Sequence, residues 1–243
     1  MSTTSRKQRE IRQREQMLLD VGRRILVERG FAGLSLDHLA EATEYSRGTV
    51  YQHFSTKEDL VTALAVQSNE LRIALFGRTR QFAGRPRERM LALGVADELF
   101  ARLRPHYFQS ELVVRMANLD ERATPARRET LLSYEDQIGT WVYEIVQEAV
   151  DQGDLHLATA VTPGRIALAV FSMAIGGHTA MANARLLARF EVSSPFEAMH
   201  GNMAALLDGF GWRPLSQTWD YEATLHRVLQ TVFPEESRQL GLA

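Results

Sequence analysis

The chain has 243 residues, 45% hydrophobic and 24% charged, ordinary globular usage that excludes a disordered or fibrous protein and allows one large domain or two modest ones. It contains no cysteine, which excludes disulfides, thiolate nucleophiles, cysteine-ligated zinc and iron–sulfur clusters. The formal net charge of −2 conceals an asymmetry: residues 1–57 carry 10 Lys/Arg against 7 Asp/Glu, residues 72–128 carry 12 against 6, and residues 129–243 carry 6 against 14. A basic start joined to an acidic C-terminal half keeps a nucleic-acid partner in view despite the near-neutral total. Met1 to Glu10 is polar and basic with no apolar run behind it, so it does not read as a signal peptide, and a cytoplasmic protein is expected.

Long stretches rich in Ala, Leu, Arg, Glu and Gln, with few β-branched runs bounded by turns, predict an all-α fold. The first helix is expected over about Arg9 to Arg29, with Leu18, Val21, Gly22, Ile25 and Leu26 on one apolar face and Gly30 as its stop. Ser35 is placed to cap a short helix from Leu36 to about Thr43, and Ser46 a second from Arg47 to about His53. Ser55-Thr56-Lys57-Glu58 fits a capping box, in which Ser55 and Glu58 would open a long fourth helix reaching about Phe82. Gly84-Arg85-Pro86 breaks it, and Pro86 suits the first turn of the next helix, which runs to about Arg104. Further helices are expected at about 106–119, 125–152, 163–189, 195–209 and 218–232.

Ile166 to Ala184 is 19 residues without a formal charge. Ser172, Gly176, Gly177, His178, Thr179, Asn183 and six alanines make it a poor membrane span, so no membrane association is expected. It reads as a helix buried in protein, and the small residues at Ala174, Gly177 and 180–184 suit close approach of a second helix at a subunit interface.

Two short helices joined by a tight turn match a helix-turn-helix reader of DNA. In the second, Val50 and Phe54 anchor the inner face, while Arg47, Thr49, Gln52 and His53 offer guanidinium, hydroxyl, amide and imidazole groups to base edges and phosphates. Arg6, Lys7, Arg9, Arg12 and Arg14 form a basic arm that reads either as a solvated tail or as a further phosphate or minor-groove contact.

The run from Gly30 to Ala40, followed by Ser46-Arg47-Gly48-Thr49-Val50-Tyr51-Gln52-His53-Phe54 and then Ser55-Thr56-Lys57-Glu58-Asp59-Leu60, resembles the DNA-binding domain of TetR-family transcriptional regulators. The resemblance covers about residues 12–64. It implies a homodimer whose recognition helices enter successive major grooves of a near-palindromic double-stranded operator, with Arg47, Gly48, Thr49, Tyr51, Gln52 and His53 at the usual DNA-contacting positions and Lys57 at a usual phosphate position. It also implies a DNA-binding domain over residues 1–58 and a helical effector-binding and dimerisation domain over 59–243. Most such regulators repress and some activate. The turn Thr43-Glu44-Tyr45-Ser46 departs from the family's usual Ala-Gly-Val-Ser, and Gly22 stands where alanine is customary. A left-handed Glu44 would cost roughly 1 kcal/mol relative to glycine.

Tyr107, Phe108, Met116, Trp141, Tyr143, Phe171, Met173 and His178 form the expected effector-pocket set, although aromatic and methionine residues at helical spacing also read as plain core. The cluster Arg78, Arg80, Arg85, Arg87 and Arg89 reads either as a solvated helix face or as an attractor for an anionic effector such as an acyl-CoA. No two of the seven histidines lie three or four residues apart, so neither a helical metal site nor a metal cofactor is expected. No cofactor of any kind is expected. The rival reading is an enzyme or carrier with a vestigial helix-turn-helix; the chain has no glycine-rich phosphate loop and no recognisable acid–base constellation to support it. A third reading, a DNA-binding structural protein without an effector, would go with a C-terminal domain lacking a cavity.

Overall fold

The computed structural model describes residues 3–117 and 119–242, with side chains over 6–114 and 119–242. Among the described residues every regular element is helical: α1 Thr3–Gly33, α2 Leu36–Thr43, α3 Arg47–His53, α4 Lys57–Thr79, α5 Pro86–Leu103, α6 Pro105–Ala117, a 3₁₀ turn Leu119–Arg122, α7 Pro125–Asp151, α8 Pro163–Met181, α9 Ala184–Arg189, α10 Pro195–Gly209, α11 Tyr221–Thr231 and α12 Pro234–Leu240. The all-α expectation holds. No helix among the described residues is long and apolar enough to cross a membrane.

Local chemistry accounts for most boundaries. Ser35 and Ser46 accept hydrogen bonds from the backbone N–H of His38 and Thr49, capping α2 and α3 as expected. Pro86 opens α5, and the Glu88 carboxylate accepts from the Arg85 N–H at 3.0 Å. Three elements differ from the sequence-based expectation. The basic arm is helical back to Thr3 as part of α1, which is interrupted at Gly30 (φ 66°, ψ 179°), a conformation open essentially only to glycine. The expected helix over 163–189 divides into α8 and α9, because the Asn183 side chain accepts from the Leu186 N–H and starts a new helix. Beyond Pro234, expected as a terminator, the chain makes one more helix, with proline in its first turn.

The chain forms two compact units, one of residues 1–71 and 104–135, the other of 72–103 and 136–243. In the first, α1, α2, α3 and the start of α4 enclose a core that includes Leu18, Ile25, Leu39, Val50, Phe54 and Leu64, each at most 4% exposed. Gly22 has a packing role: a Cβ there would lie 3.3 Å from the Leu60 methyls, so the absent methyl lets α1 and α4 approach. Arg23, 5% exposed, is held by Ser110 Oγ at 2.7 Å and Gln67 Oε1 at 2.6 Å, and its guanidinium stacks 3.6 Å above the Tyr107 ring.

The second unit packs α5 against α11 and α12, and α8 against α10. Phe76, Leu99, Ile166, Trp212, Val228 and Phe233 lie in its core. Gly177 meets α10 of the same chain, where an added Cβ would fall 2.8 Å from Met199 Sδ. At least this one of the small residues on α8 thus serves packing within the chain. Asp97 on α5 receives Arg72 of α4 at 3.1 and 2.8 Å and the His178 ring of α8 at 2.5 Å, all three residues being nearly excluded from solvent. Burial opposes the Asp97 charge, but Arg72 and His178 outweigh it and hold its carboxyl down at about 2.

Because the folded-state value lies below the ordinary 3.8, Asp97 stabilises the fold above that range and loses its contribution as pH falls from 3.8 towards 2. Asp97→Asn should therefore lower unfolding stability by about 3 kcal/mol near neutrality. Urea unfolding at a series of pH values should show the gap to the wild type narrowing below pH 4; a gap of the same size at pH 6 and pH 3 would contradict this source of stability.

Candidate nucleic-acid interface and an apolar cavity

The α3 helix has one buried and one open side. Val50 and the following Phe54 are fully buried, whereas Arg47, Gly48, Tyr51 and Gln52 are exposed. The Ser46 hydroxyl that caps the helix also lies 2.8 Å from Thr49 Oγ1, so Thr49 is tied to the cap. Arg47 Nε stands 3.3 Å from Asp37 Oδ1, with both side chains largely in solvent, an ion pair of little worth that leaves the guanidinium available. Glu44 adopts the left-handed conformation (φ 59°, ψ 17°) at the turn, the strained geometry in which the family's usual glycine would be unstrained.

Two of the sequence-selected residues are drawn inward. The His53 side chain is only 8% exposed, with Nδ1 3.7 Å from Glu15 Oε2. Lys57 Nζ sits 4.2 Å above the Phe31 ring and 3.5 Å from the Phe31 carbonyl. Gly48 has the opposite character: a Cβ there would meet only Ser46 Oγ, at 3.9 Å. Nothing inside the protein demands glycine at this helical position.

Beneath α3 lies a polar knot that sequence reasoning missed. Asp59, fully buried, accepts hydrogen bonds from Ser55 N at 3.1 Å, Thr124 N at 2.9 Å, Thr124 Oγ1 at 3.0 Å and Arg127 Nη1 at 2.5 Å. Burial pushes its carboxyl up, but the two backbone donors and Arg127 more than compensate and hold it below the ordinary value. Arg127 also donates to the His53 carbonyl at 2.8 Å and to Glu15 at 3.1 Å, and lies 4.9 Å from the Phe54 ring centre. One guanidinium from α7 thereby closes the C-terminal end of α3, where a cation suits the exposed carbonyls. The α4 cap is shifted by one residue from the expected box: Thr56 Oγ1 accepts from Asp59 N at 3.0 Å, and Asp59, not Glu58, reaches back to Ser55. The Asp at 59 was the local signal for this knot; Arg127, 68 residues away, gave none.

The second unit holds a partly open cavity of about 670 Å³, a volume in the usual range for small-molecule sites. Of the eight residues expected to line an effector pocket, Phe171 is on its wall. His178 stands behind the wall, bonded to the wall residue Asp97. Met173 lies on α8, partly exposed. Trp141 is the platform for Arg80, whose guanidinium is 5.5 Å from its ring centre, and Tyr143 is 44% exposed. Tyr107 and Phe108 belong to the other unit, Tyr107 under Arg23 and Phe108 buried, and the Met116 side chain lies outside the described residues. Residues that periodicity did not select, among them Met90, Leu99, Arg102, Met199 and His200, complete the wall.

The five clustered arginines do not form an open basic surface. Arg78 pairs with Glu236 at 2.5 Å, Arg80 with Glu144 at 3.0 Å, Arg85 with Asp154, Arg87 with Asp208 at 2.6 Å, and Arg89 with Glu148. Their acidic partners come from the acidic C-terminal half, and the two charge excesses noted in the sequence cancel here pair by pair.

Residues 18–64 match the sequence model described as bacterial regulatory proteins, tetR family. An uncharacterised HTH-type transcriptional regulator of Mycobacterium tuberculosis, Rv1556, is 30% identical over 146 residues, spanning 60% of this chain and 67% of that protein. The chain belongs to the TetR family. The transcriptional repressor AcnR of Corynebacterium diphtheriae is 41% identical over 56 residues, and this match spans 23% of this chain and 30% of AcnR, under a third of that relative's length. A bacterial regulatory protein in the tetR family from Rhodococcus RHA1 shares the fold, with a TM-score of 0.64 at 15% identity over 82% of this chain and 97% of that one. In this TetR-family chain the matched segment ends inside α4 and takes in Asp59 but not Arg127.

Replacing Arg127 by alanine strips one partner from a fully buried carboxylate and should lower stability by about 2–3 kcal/mol. Thermal melts of Arg127→Ala alone, Asp59→Asn alone and the double variant check the pairing: the double variant should cost less than the sum of the two single ones, and strict additivity would show that the residues do not act as a unit.

Proposed function

We propose that this TetR-family protein is a sequence-specific DNA-binding transcriptional regulator, acting as a repressor that leaves a near-palindromic operator when a small molecule fills the cavity. The observation that carries the reading is the capped α3 helix, held from below by Val50, Phe54 and the Asp59–Arg127 knot, with Arg47, Gly48, Tyr51 and Gln52 turned outward. Arg47 and Gln52 read base edges; Thr49, Tyr51, His53 and Lys57 position the backbone. Residues 1–58 form the reading head, its basic arm continuing α1, and residues 59–243 carry effector binding and dimerisation.

The working species is a homodimer. Leu168 at 63% exposure and Phe171 at 41%, together with exposed Ser172, Gly176 and Thr179, leave an uncharged stripe along α8 that a second copy would cover. The effector acts by population shift: it binds better to the conformation whose two heads no longer match the groove spacing, and operator affinity falls by that same differential free energy. Helix α4 is the lever, since it carries Asp59 near its start and the cavity residues Arg72 and Phe76 near its end.

A gel shift with the DNA upstream of this protein's own gene and its neighbours tests the reading, and failure to retard both that DNA at low salt and a selected random pool would overturn it. On bound DNA, Lys57→Ala should weaken affinity equally on all sequences and flatten the salt slope by about one, whereas Arg47→Ala should relax base preference. Identical behaviour of the two variants in a salt titration would refute that division. Gly48→Ala should raise the melting temperature slightly, in line with about 0.5–1 kcal/mol of helix propensity, yet abolish tight operator binding by obstructing close approach of DNA. A variant that keeps full affinity would show that Gly48 makes no such approach.

A further inference from the structure

The wall of the cavity is mostly apolar, with Phe76, Met90, Leu99, Ile138, Val170 and Met203 among its surfaces. Three guanidinium groups reach it, and each is already matched. Arg72 is bound to Asp97, and Arg102 to Glu98 at 2.6 Å. Arg87 pairs with Asp208 and donates to the carbonyls of Trp212, Pro214 and Ala204. The buried carboxylates are matched by the same pairs, Asp97 also by His178. Glu197 and Glu222, the other acids of the wall, are exposed. An anionic headgroup therefore finds no uncommitted cation inside, and a cationic one no uncommitted buried carboxylate. Either would have to break an existing pair or lose its hydration without compensation.

One polar contact of the wall is not an aligned hydrogen bond. His200 Nε2 faces Glu98 Oε2 at 3.1 Å, shielded from solvent and off the line that a hydrogen bond requires, while the His200 side chain as a whole is 23% exposed. Burial lowers the His200 pKa from its ordinary 6.5, outweighing the nearby Glu98 charge, so the ring is neutral at pH 7 and offers one donor and one acceptor nitrogen. A partly exposed imidazole on an otherwise mostly apolar wall is a polar group that a ligand's hydroxyl or carbonyl can meet.

We infer that the cavity takes an uncharged, mainly hydrocarbon ligand with a hydroxyl or carbonyl group that meets His200 beside Glu98, and that it discriminates against anionic and cationic amphiphiles of the same length. This assignment rests on the cavity being the effector site. The test uses the full-length protein with the neutral dye Nile red as reporter and three twelve-carbon competitors, dodecanol, dodecanoate and dodecyltrimethylammonium, each below its micelle concentration. Dodecanol should displace the dye at a concentration at least tenfold lower than either ion. In His200→Leu, shown to be folded by a cooperative melt, dodecanol binding should weaken about fivefold or more. Dodecanoate or dodecyltrimethylammonium competing as well as dodecanol would overturn the ligand class while leaving the effector site standing. Unchanged dodecanol affinity in folded His200→Leu would overturn the placement of the polar group. No dye enhancement, and no rise in melting temperature with any of the three, would instead remove the effector site itself and the ligand class with it.

Discussion

A single buried carboxylate organises the first compact unit. Asp59 has no solvent to stabilise its charge, so the chain supplies two backbone N–H groups, a threonine hydroxyl and a guanidinium around it. Its donors come from the α3–α4 turn, from the residue before α7 and from α7 itself, three places that local helix propensity would leave independent. Satisfying one anion fixes all three at once, because each withdrawn partner would leave a charge in a low-dielectric site. The same guanidinium closes α3 at the His53 carbonyl, so the orientation of the exposed Arg47–Gln52 face depends on the same group that neutralises Asp59.

The second unit uses the same device more widely. Arg78, Arg80, Arg85 and Arg89 are each spent on an acidic partner elsewhere in the unit, with sequence separations from 59 to 158 residues. Arg87, 2% exposed, holds three backbone carbonyls around residues 204–214 as well as Asp208. These cross-links brace the helices around the cavity without filling it. They also match five arginines of the markedly basic segment to carboxylates of the C-terminal half, around a largely apolar cavity.

Local signals were legible wherever the structure depends on neighbours in sequence. Ser35 and Ser46 cap the helices they were expected to cap, and the strain anticipated at Glu44 is present as a φ of 59°. Legibility failed by one residue at α4, where Ser-Thr-Lys-Glu and Thr-Lys-Glu-Asp are both plausible caps and only the demand of buried Asp59 selects the second. It failed more fully for the cavity. Tyr107 and Trp141 have the character of ligand-facing rings, yet both are platforms for arginines, whereas His200, which no local pattern marks, stands on the cavity wall beside Glu98. Gly22 is intermediate: its departure from alanine was visible, but the reason, the Leu60 methyls 3.3 Å away, is a tertiary contact.

The sequence by itself determined the all-helical fold, the helix-turn-helix and the outward residues of α3, since apolar periodicity, capping hydroxyls and glycine stops act over a few residues and need no knowledge of distant chain. Tertiary structure decided which charges face solvent and which neutralise one another, and which side chains bound the cavity. Those outcomes turn on the meeting of segments dozens of residues apart. The energy of a buried ion pair or an empty volume resides in that meeting, and neither residue of such a pair carries a local mark of the other.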